Sequence, residues 1–311
     1  MVDHHGTVLA RVGDAQALCF TRSTLKPFQA LPCMQGGGAA YFGFKPEHIA
    51  MLCASHNGEG MHVLNVDEML ACIGRNHSSL QCGCHIPLRF SYNGLTPPSN
   101  LHFDERHNNC SGKHAGFLGY CVQHGLALKN HLLPAHPLQQ SIRQAVACVA
   151  RLDQSQLIEG VDGCSAPNYA MPLSRLAFSF ARLASGKQDN EFGEEFELLA
   201  NAMLAHPELV SGTGRNDLAF TRAGQGDWLT KIGADGVQVI ASKSRRQAIA
   251  IKVISGNMPA LYAAAVAALE QVGWLDNEQR DQLKVWGHQK LLSAKGIQVG
   301  EVRTVFQLKS S

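Results

Sequence analysis

Short apolar runs bounded by turn residues occur at both ends of the chain. Residues 7–10 and 17–20 form two such runs, and Gly13-Asp14 between them is typical of a hairpin turn. Three segments in the C-terminal third also predict strands: residues 227–242, 247–255 and 302–308. The pattern therefore predicts strands near both termini.

Between these strands, apolar positions recur every three or four residues, which predicts amphipathic helices. The predicted helices cover residues 27–34, 61–74, 137–152, 171–183, 191–205 and 257–272. Residues 48–55 predict a short strand or buried segment, and residues 87–110 have the Pro, Asn and Gly content of a long functional loop. The order predicts an α+β fold, in which terminal strands pair in one antiparallel sheet and helices cover it and form a second, mainly helical lobe.

The length and charge of the chain narrow the class of protein. Its 311 residues, 45% of them hydrophobic, can form one large core or two lobes, so we expect residues 1–311 to be a single catalytic domain with two lobes. The 27 basic and 25 acidic residues give no cationic field for nucleic acid or a membrane. Without an apolar run of membrane-spanning length or a signal-peptide pattern, we expect a cytoplasmic enzyme with ten reduced cysteines.

Ser23 and Lys26 are the first candidates for chemistry. On a helical turn this spacing puts both side chains on one side, where the amine can take the hydroxyl proton if burial or another cation lowers the pKa of the lysine. The spacing is common by chance, and alone it favours a helix cap with an exposed lysine. Pro27 disfavours helical geometry at Lys26.

Two other segments end apolar runs in polar residues, which is typical of active-site loops. Residues 53–59 include Ser55 and His56, with a capped turn as the alternative interpretation. Lys231 opens a predicted strand ahead of a hairpin turn at Asp235-Gly236, as does the lysine in the K-T-G strand of penicillin-recognising enzymes. For Lys231 alone, an exposed lysine before a turn is the simpler interpretation.

Two cysteines and a lysine indicate a metal site. Cys110 and Lys113 are one turn apart and can face a common site with Cys164. Two thiolates can bind zinc, whereas a lysine ligand is unusual because it must first lose its proton. Buried structural thiols are the alternative, and residues 82–85 are a weaker zinc candidate because the motif has no second half.

Four segments of unusual composition follow one another along the chain: residues 22–32, 54–59, 110–114 and 162–167. In this order they resemble the L-asparaginase II family of the Rhizobium type, a zinc-containing class, and the resemblance covers nearly the whole chain. The resemblance implies a fold similar to serine β-lactamases and glutaminases, and a homodimer. Members begin with a further stretch ahead of Val2 that carries part of an edge strand, so either the native start of this chain is short or the sequence given is truncated inside that strand.

For the site, the resemblance implies two serine–lysine pairs and a zinc ion that tunes substrate affinity and is not the main catalyst. The pairs are Ser23 with Lys26 and Ser55 with Lys231. The zinc ligands are Cys110, Lys113 and Cys164, with water completing the shell.

The resulting hypothesis is an amidohydrolase that converts L-asparagine to L-aspartate and ammonia. Lys26 deprotonates Ser23, which attacks the side-chain amide and forms an aspartyl ester, while the second pair relays the proton to the leaving nitrogen. Three residues are expected at the two ends of the substrate: Arg22 or His56 at its α-carboxylate, and Asp162 at its ammonium or behind the zinc ligands.

Three alternatives compete with this hypothesis. A glutaminase or other small-amide hydrolase has the same nucleophile, and the relative turnover of asparagine and glutamine separates the two. A non-catalytic zinc or amino-acid binding module keeps Cys110 and Cys164 but tolerates loss of Ser23. A β-lactamase or peptidase needs an S-D-N-type element, which the sequence lacks.

Overall fold

A four-stranded antiparallel sheet organises the computed structural model, which describes residues 1–310. The strands are β1 (Val2–Asp3), β2 (Ala10–Arg11), β3 (Leu18–Phe20), β4 (Ile158–Val161), β5 (Pro167–Pro172), β6 (Trp228–Gly233), β7 (Val237–Ser242), β8 (Gln247–Lys252), β9 (Gln289–Leu292), β10 (Gln298–Val302) and β11 (Lys309–Ser310). The main sheet has the order β1-β8-β7-β6, so a strand from the N-terminus joins the C-terminal strands as predicted. A second sheet has the order β3-β5-β4.

Helices occupy most of the chain between the two sheets and cover the main one. They are α1 (Lys26–Gln29), α2 (Leu31–Gln35), α3 (Gly38–Tyr41), α4 (Pro46–Leu52), α5 (Gly60–Cys72), α6 (Leu88–Tyr92), α7 (Ser111–Gln123), α8 (Pro137–Ala150), α9 (Leu173–Ser185), α10 (Gly193–Ala205), α11 (Pro207–Val210), α12 (Asn216–Ala223), α13 (Met258–Gln271) and α14 (Asn277–Gly287). None of the helices within residues 1–310 has the length and apolar character needed to cross a membrane. This architecture confirms the α+β prediction; the division into two lobes of one catalytic domain stays a prediction.

Alternation along β7 divides its buried side chains between two cores. Val239 and Ala241 pack into the larger core with residues of helices α1 to α5 and α7 to α10, whereas Ile240 packs on the opposite face with Trp228 and residues of α13 and α14. Successive side chains of a strand point to opposite faces, so a central strand covered on both sides buries every side chain, as β7 does. The sheet is therefore a rigid layer that fixes the ends of β6 and β7.

Several predictions of local structure were wrong. Residues 48–55 are buried, which is one of the two predicted alternatives, but they form no strand: most of them belong to helix α4, which begins at Pro46, a residue that favours the first helical turn. The opening runs do not pair with each other, because β3 pairs with β5 and β2 with β11. The predicted strand 302–308 lies mostly in irregular backbone, and α14 was not predicted.

Lys26 is helical although Pro27 follows it. Its φ of −55° and ψ of −41° continue a 3₁₀ helix at Arg22–Leu25 into α1. Pro27 lies in the first turn of α1, where a missing N–H removes no helical hydrogen bond. Phe28 anchors the helix edge-on against Phe180 at 5.2 Å, so Lys26 is carried into the interior.

Candidate active site

A cleft of about 480 Å³ opens at the end of β6, between the 3₁₀ helix and the loops that precede α7 and β5. Ten polar residues are among those that line it: Arg22, Ser23, Ser55, Asn109, Cys110, Asp162, Cys164, Arg215, Asp235 and Ser255. The cleft thus brings together residues from all the segments that the sequence indicated as chemically interesting.

The Ser55 hydroxyl lies between two lysine amines at the floor of this cleft. Its Oγ is 2.9 Å from Nζ of Lys26 and 3.0 Å from Nζ of Lys231. Both lysines are fully buried, and Ser55 is 3% exposed. The structure brings Ser55 to Lys231, as the pairing in the sequence analysis has it, and brings Lys26 to the same hydroxyl.

Close packing of α7 against α4 places this serine. Gly112 touches the C-terminal end of α4, and a Cβ at this position would come within 2.3 Å of the Met51 carbonyl oxygen. Beyond α4 the chain is held by a hydrogen bond of 2.8 Å from the Ser55 amide to the Val210 carbonyl. The serine is consequently fixed by backbone contacts on two sides and has little freedom to move away from the lysines.

The two lysines differ in their other partners. Nζ of Lys26 donates to the carbonyl oxygens of Ala54 at 2.5 Å and Asn109 at 3.1 Å. Nζ of Lys231 lies 3.7 Å from a carboxylate oxygen of Asp217, which is itself buried. No carboxylate of residues 1–310 lies within ion-pair distance of Lys26, so only Lys231 has a counter-ion.

Burial lowers the pKa of Lys231 to about 8. The carboxylate of Asp217 opposes this shift, and Lys26 and Arg215 add to it. Lys231 therefore changes its charge close to neutral pH, which suits a group that must both give and take a proton.

Ser23 is half-buried in the cleft wall, and the backbone around it is unusual. Arg22 has a φ of 51°, which is rare outside glycine and typical of strained functional sites. Gly233 packs against this segment: a Cβ there would come within 3.0 Å of the Thr21 carbonyl oxygen. The Ser23 hydroxyl makes no hydrogen bond within residues 1–310. Ser23 and Lys26 are therefore not hydrogen-bonded to each other, although they lie one helical turn apart.

Arg22 holds two carboxylates at the mouth of the cleft. Its Nε donates to Asp162 at 2.9 Å, and its Nη1 donates to Asp235 at 2.5 Å. Asp162 also accepts from the amide of Gly163 at 2.9 Å and is nearly buried, whereas the Asp235 side chain is 61% exposed. The positive charge of Arg22 is consequently already balanced, and Asp235 is the carboxylate that solvent and small molecules reach.

His56 does not face the cleft, contrary to the expectation that it contacts substrate. It is fully buried; Nδ1 accepts from the Gly58 amide at 3.1 Å, and Nε2 lies 2.8 Å from the Ser111 hydroxyl. Burial and the neighbouring His62 hold its pKa well below the ordinary value, so the ring is neutral. With both nitrogens occupied, His56 ties the start of α7 to the Ser55 segment.

Cys110, Lys113 and Cys164 meet beside the cleft, as predicted for a shared site. Nζ of Lys113 is 3.2 Å from Sγ of Cys164, and all three side chains are buried. The closeness of the two thiols raises the pKa of Cys110 and lowers that of Cys164, and the Lys113 ammonium also favours the Cys164 thiolate. His114 lies behind them with both ring nitrogens unpaired within residues 1–310.

Three residues of the site were missed from sequence alone. Asp217 carries no local signal, since an acidic residue in a first helical turn is ordinary. Arg215 follows a glycine-rich stretch, residues 212–214, and that stretch is the one signal of an unusual loop. Asp235 was recognised only as a turn residue, because turn propensity hides any further use of its carboxylate.

A comparison with protein families gives one match that extends over nearly the whole chain. The family model described as L-asparaginase II matches residues 1–304. The matched region contains the whole cleft and both cores. No curated protein matches the chain.

Proposed function

Since this chain belongs to the L-asparaginase II family, we propose that it is an amidohydrolase of the Rhizobium type that converts L-asparagine to L-aspartate and ammonia. The observation that carries this proposal is the Ser55 hydroxyl bridging the amines of Lys26 and Lys231 beneath a cleft that Ser23 lines. A buried pair of amines joined by a hydroxyl is suited to moving protons during acyl transfer.

Ser23 is the proposed nucleophile, because it is the reachable serine of the two. It faces the cleft from a strained turn, whereas the Ser55 hydroxyl is almost enclosed by two amines. Rotation of the Ser23 side chain towards Lys26, one helical turn away, is the one movement that the proposal requires.

The proposed protons and bonds balance over two steps. In acylation, the Lys26 amine takes the proton of Ser23 as Oγ bonds to the amide carbon; the carbon–nitrogen bond then breaks as Ser55 gives its proton to the leaving nitrogen and takes one from Lys231. In deacylation, water adds to the ester carbon and gives its proton, through Ser55, to the now neutral Lys231; the ester bond then breaks, and the Lys26 ammonium returns its proton to Ser23. Because the Ser55 hydroxyl takes up one proton as it gives another away, no separate charge develops on it.

The carboxylates at the cleft mouth suit the substrate ammonium. Asp162 and Asp235 are oriented by the same guanidinium of Arg22, so that the group formed by the three has a net negative charge. We infer that Arg22 acts here by orienting the two carboxylates and that Asp235 meets the ammonium directly. Asp162 also lies near Lys113 and so supports the thiol site.

Cys110, Lys113 and Cys164 fit a zinc ion by their chemistry, because two buried thiols and an amine converge and one thiol already favours its thiolate form. These three residues are the proposed ligands. When bound there, zinc supplies a fixed positive charge that strengthens the binding of an anionic group in the cleft. The proton transfers proposed above depend only on the serine and lysine side chains.

The substrate assignment is tested by the release of ammonia from several amides. We expect L-asparagine to be hydrolysed at least about 100-fold more efficiently than L-glutamine, because polar groups fitted to one side-chain length are mispaired with another. Ampicillin should not be hydrolysed. Equal or reversed efficiencies for the two amino acids would point to a glutaminase. If neither amino acid is hydrolysed, the chain is better described as a non-catalytic binding module.

The zinc proposal predicts that Cys110→Ser or Cys164→Ser removes about one equivalent of zinc per chain and weakens substrate affinity more than turnover. The fold should survive, since a core of this size does not depend on a metal. Elemental analysis of protein purified without chelator is the measurement, with Cys72→Ser at an exposed thiol as control. Full zinc content in both variants, or none in the wild type, would return these cysteines to the class of structural thiols.

The pH dependence follows from Lys231. As a proton donor it must be charged, so kcat/KM should fall as the pH rises through about 8, the pKa to which burial lowers this lysine. In Asp217→Asn the carboxylate that raises this pKa is lost, so the fall should move to lower pH by about 1 pH unit or more. The substrate amine titrates equally in both proteins, so a difference between their pH profiles reports on Lys231 alone.

Asp227→Asn is the control, because Asp227 does not line the cleft, and its pH profile should match that of the wild type. If kcat/KM falls at the same pH in Asp217→Asn as in the wild type, Lys231 is not the proton donor.

A further inference from the structure

Arg215 is a buried arginine without a carboxylate partner. It is 3% exposed, yet it lines the cleft. Its Nη1 donates to Oδ1 of Asn57 at 2.9 Å and to the Ser55 carbonyl oxygen at 3.3 Å, and both acceptors are neutral. No acidic side chain in the described part of the chain lies within ion-pair distance of its guanidinium.

The other deeply buried arginine shows what is missing. Arg182 is 1% exposed, and its guanidinium meets Asp189 at 2.7 Å and Glu191 at 2.8 Å. A charge removed from water is stabilised by such partners, and burying one without them is unfavourable. The buried charge of Arg215 would therefore be stabilised by a bound anion.

One edge of the Arg215 guanidinium is unused. Its Nε is buried and has no acceptor within residues 1–310, and Nη2 makes no hydrogen bond there either. The ring of Tyr92, another cleft residue, covers the guanidinium at 4.0 Å and leaves its edges for in-plane partners. Two parallel N–H groups on one edge match the two oxygens of a carboxylate.

We propose that Arg215 binds the α-carboxylate of the substrate on its Nε/Nη2 edge. This rests on the proposed function and assigns the end of asparagine that Arg22 is not free to hold, because Asp162 and Asp235 occupy Arg22. Only two carbon atoms separate the α-carboxylate of asparagine from its amide carbon, so the α-carboxylate must bind close to the reacting groups. Arg215 lies close to them, since its guanidinium donates a hydrogen bond to the backbone carbonyl of Ser55.

The proposal explains how the cleft distinguishes the two ends of a zwitterion. Asp162 and Asp235, which Arg22 orients, are the negative groups of the cleft, and Arg215 is a positive group of the same cleft that pairs with neither of them. A substrate that lacks its α-carboxylate loses the contact with Arg215 and keeps the rest. Selectivity for amino acids over simple amides therefore depends on Arg215.

The test compares L-asparagine with 3-aminopropanamide, which is asparagine without its α-carboxylate. In Arg215→Gln we expect kcat/KM for L-asparagine to fall by about 100-fold or more, mainly through KM, because a charged hydrogen-bonded pair is lost. For 3-aminopropanamide kcat/KM should change by less than about 3-fold, since the missing partner was never used. Arg222→Gln, at an exposed arginine of helix α12, which begins directly after Arg215, should leave both values unchanged.

Equal losses of kcat/KM on both substrates would overturn the proposal, because Arg215 would then act only by holding the Ser55 segment. An unchanged kcat/KM for L-asparagine in Arg215→Gln would overturn it as well. Arg215→Lys, which keeps the charge without the fork, should recover part of the loss on L-asparagine alone, and a misfolded variant would recover nothing.

A binding experiment separates this inference from the proposed reaction. Calorimetric titration of L-asparagine into Ser23→Ala needs no turnover, and adding Arg215→Gln should abolish the heat of binding or weaken the affinity by a similar factor. L-asparaginamide, in which an amide replaces the α-carboxylate, should bind weakly to both proteins. Binding that depends on Arg215 without turnover in the wild type would refute only the reaction; turnover with binding that ignores Arg215 would refute only this inference.

Discussion

Replacement of Ser23 by alanine is expected to lower kcat for ammonia release from L-asparagine by at least about 10⁴-fold, because no acyl-enzyme forms without the nucleophile. Lys26→Ala should have a similar effect, since Ser23 is then not deprotonated. The double variant should be hardly worse than either single one, because members of one catalytic unit do not contribute additively. Steady-state kinetics with a coupled ammonia assay measures all three.

Ser255→Ala is the matched control, because Ser255 also lines the cleft but contacts neither lysine. Its kcat should stay within about 3-fold of the wild type, as for most exposed substitutions. Losses from Ser23→Ala and Lys26→Ala that simply add would show that the two side chains act in separate steps.

Ser55→Ala should lower kcat by about 10² to 10⁴-fold, the usual contribution of positioned proton transfer. The variant keeps Ser23 and both lysines but breaks the hydrogen-bonded path between Lys26 and Lys231, which meet only through the Ser55 Oγ. Affinity for L-asparagine should change little, because the hydroxyl is not expected to hold either end of the substrate. Ser55→Thr, which retains a hydroxyl, should recover part of the rate.

Loss of the Ser55 hydroxyl also leaves two buried amines with one acceptor fewer, which is expected to cost about 1 to 3 kcal/mol of stability. Thermal unfolding therefore accompanies the kinetics, so that a loss of folded protein is not mistaken for a loss of rate. Wild-type kcat in a folded Ser55→Ala protein would contradict the relay.

The helices and the main sheet were predictable where one periodicity persisted over many residues. Helices α5, α8 and α13 have apolar positions at helical spacing and lie within two residues of their predicted bounds. The burial of the α4 segment was predicted, but its interpretation as a strand failed because a short run that is apolar on all sides is equally compatible with a buried strand or helix. The pairing of β2 and β3 failed because strand partners are chosen by distant contacts.

The members of the site were largely predictable, but not their connections. Spacing put Ser23 next to Lys26, whereas the structure brings Lys26 to Ser55, 29 residues away along the chain. Contacts of this kind depend on how α7 packs on α4, and no local pattern encodes that. The homodimer and the likeness to serine β-lactamases stay predictions from the family resemblance, and the cytoplasmic location stays a prediction from the sequence pattern.

The identity of the acylated serine tests the central claim most directly. The enzyme is mixed with L-asparagine, quenched in acid within milliseconds to seconds, digested with chymotrypsin and analysed by mass spectrometry. Cleavage after Phe20 and Phe28 puts Ser23 and Ser55 in different peptides. We predict an aspartyl ester on the peptide that contains Ser23, lost on treatment with hydroxylamine and absent from Ser23→Ala. An ester on Ser55, or turnover with no ester on any peptide, would contradict the account.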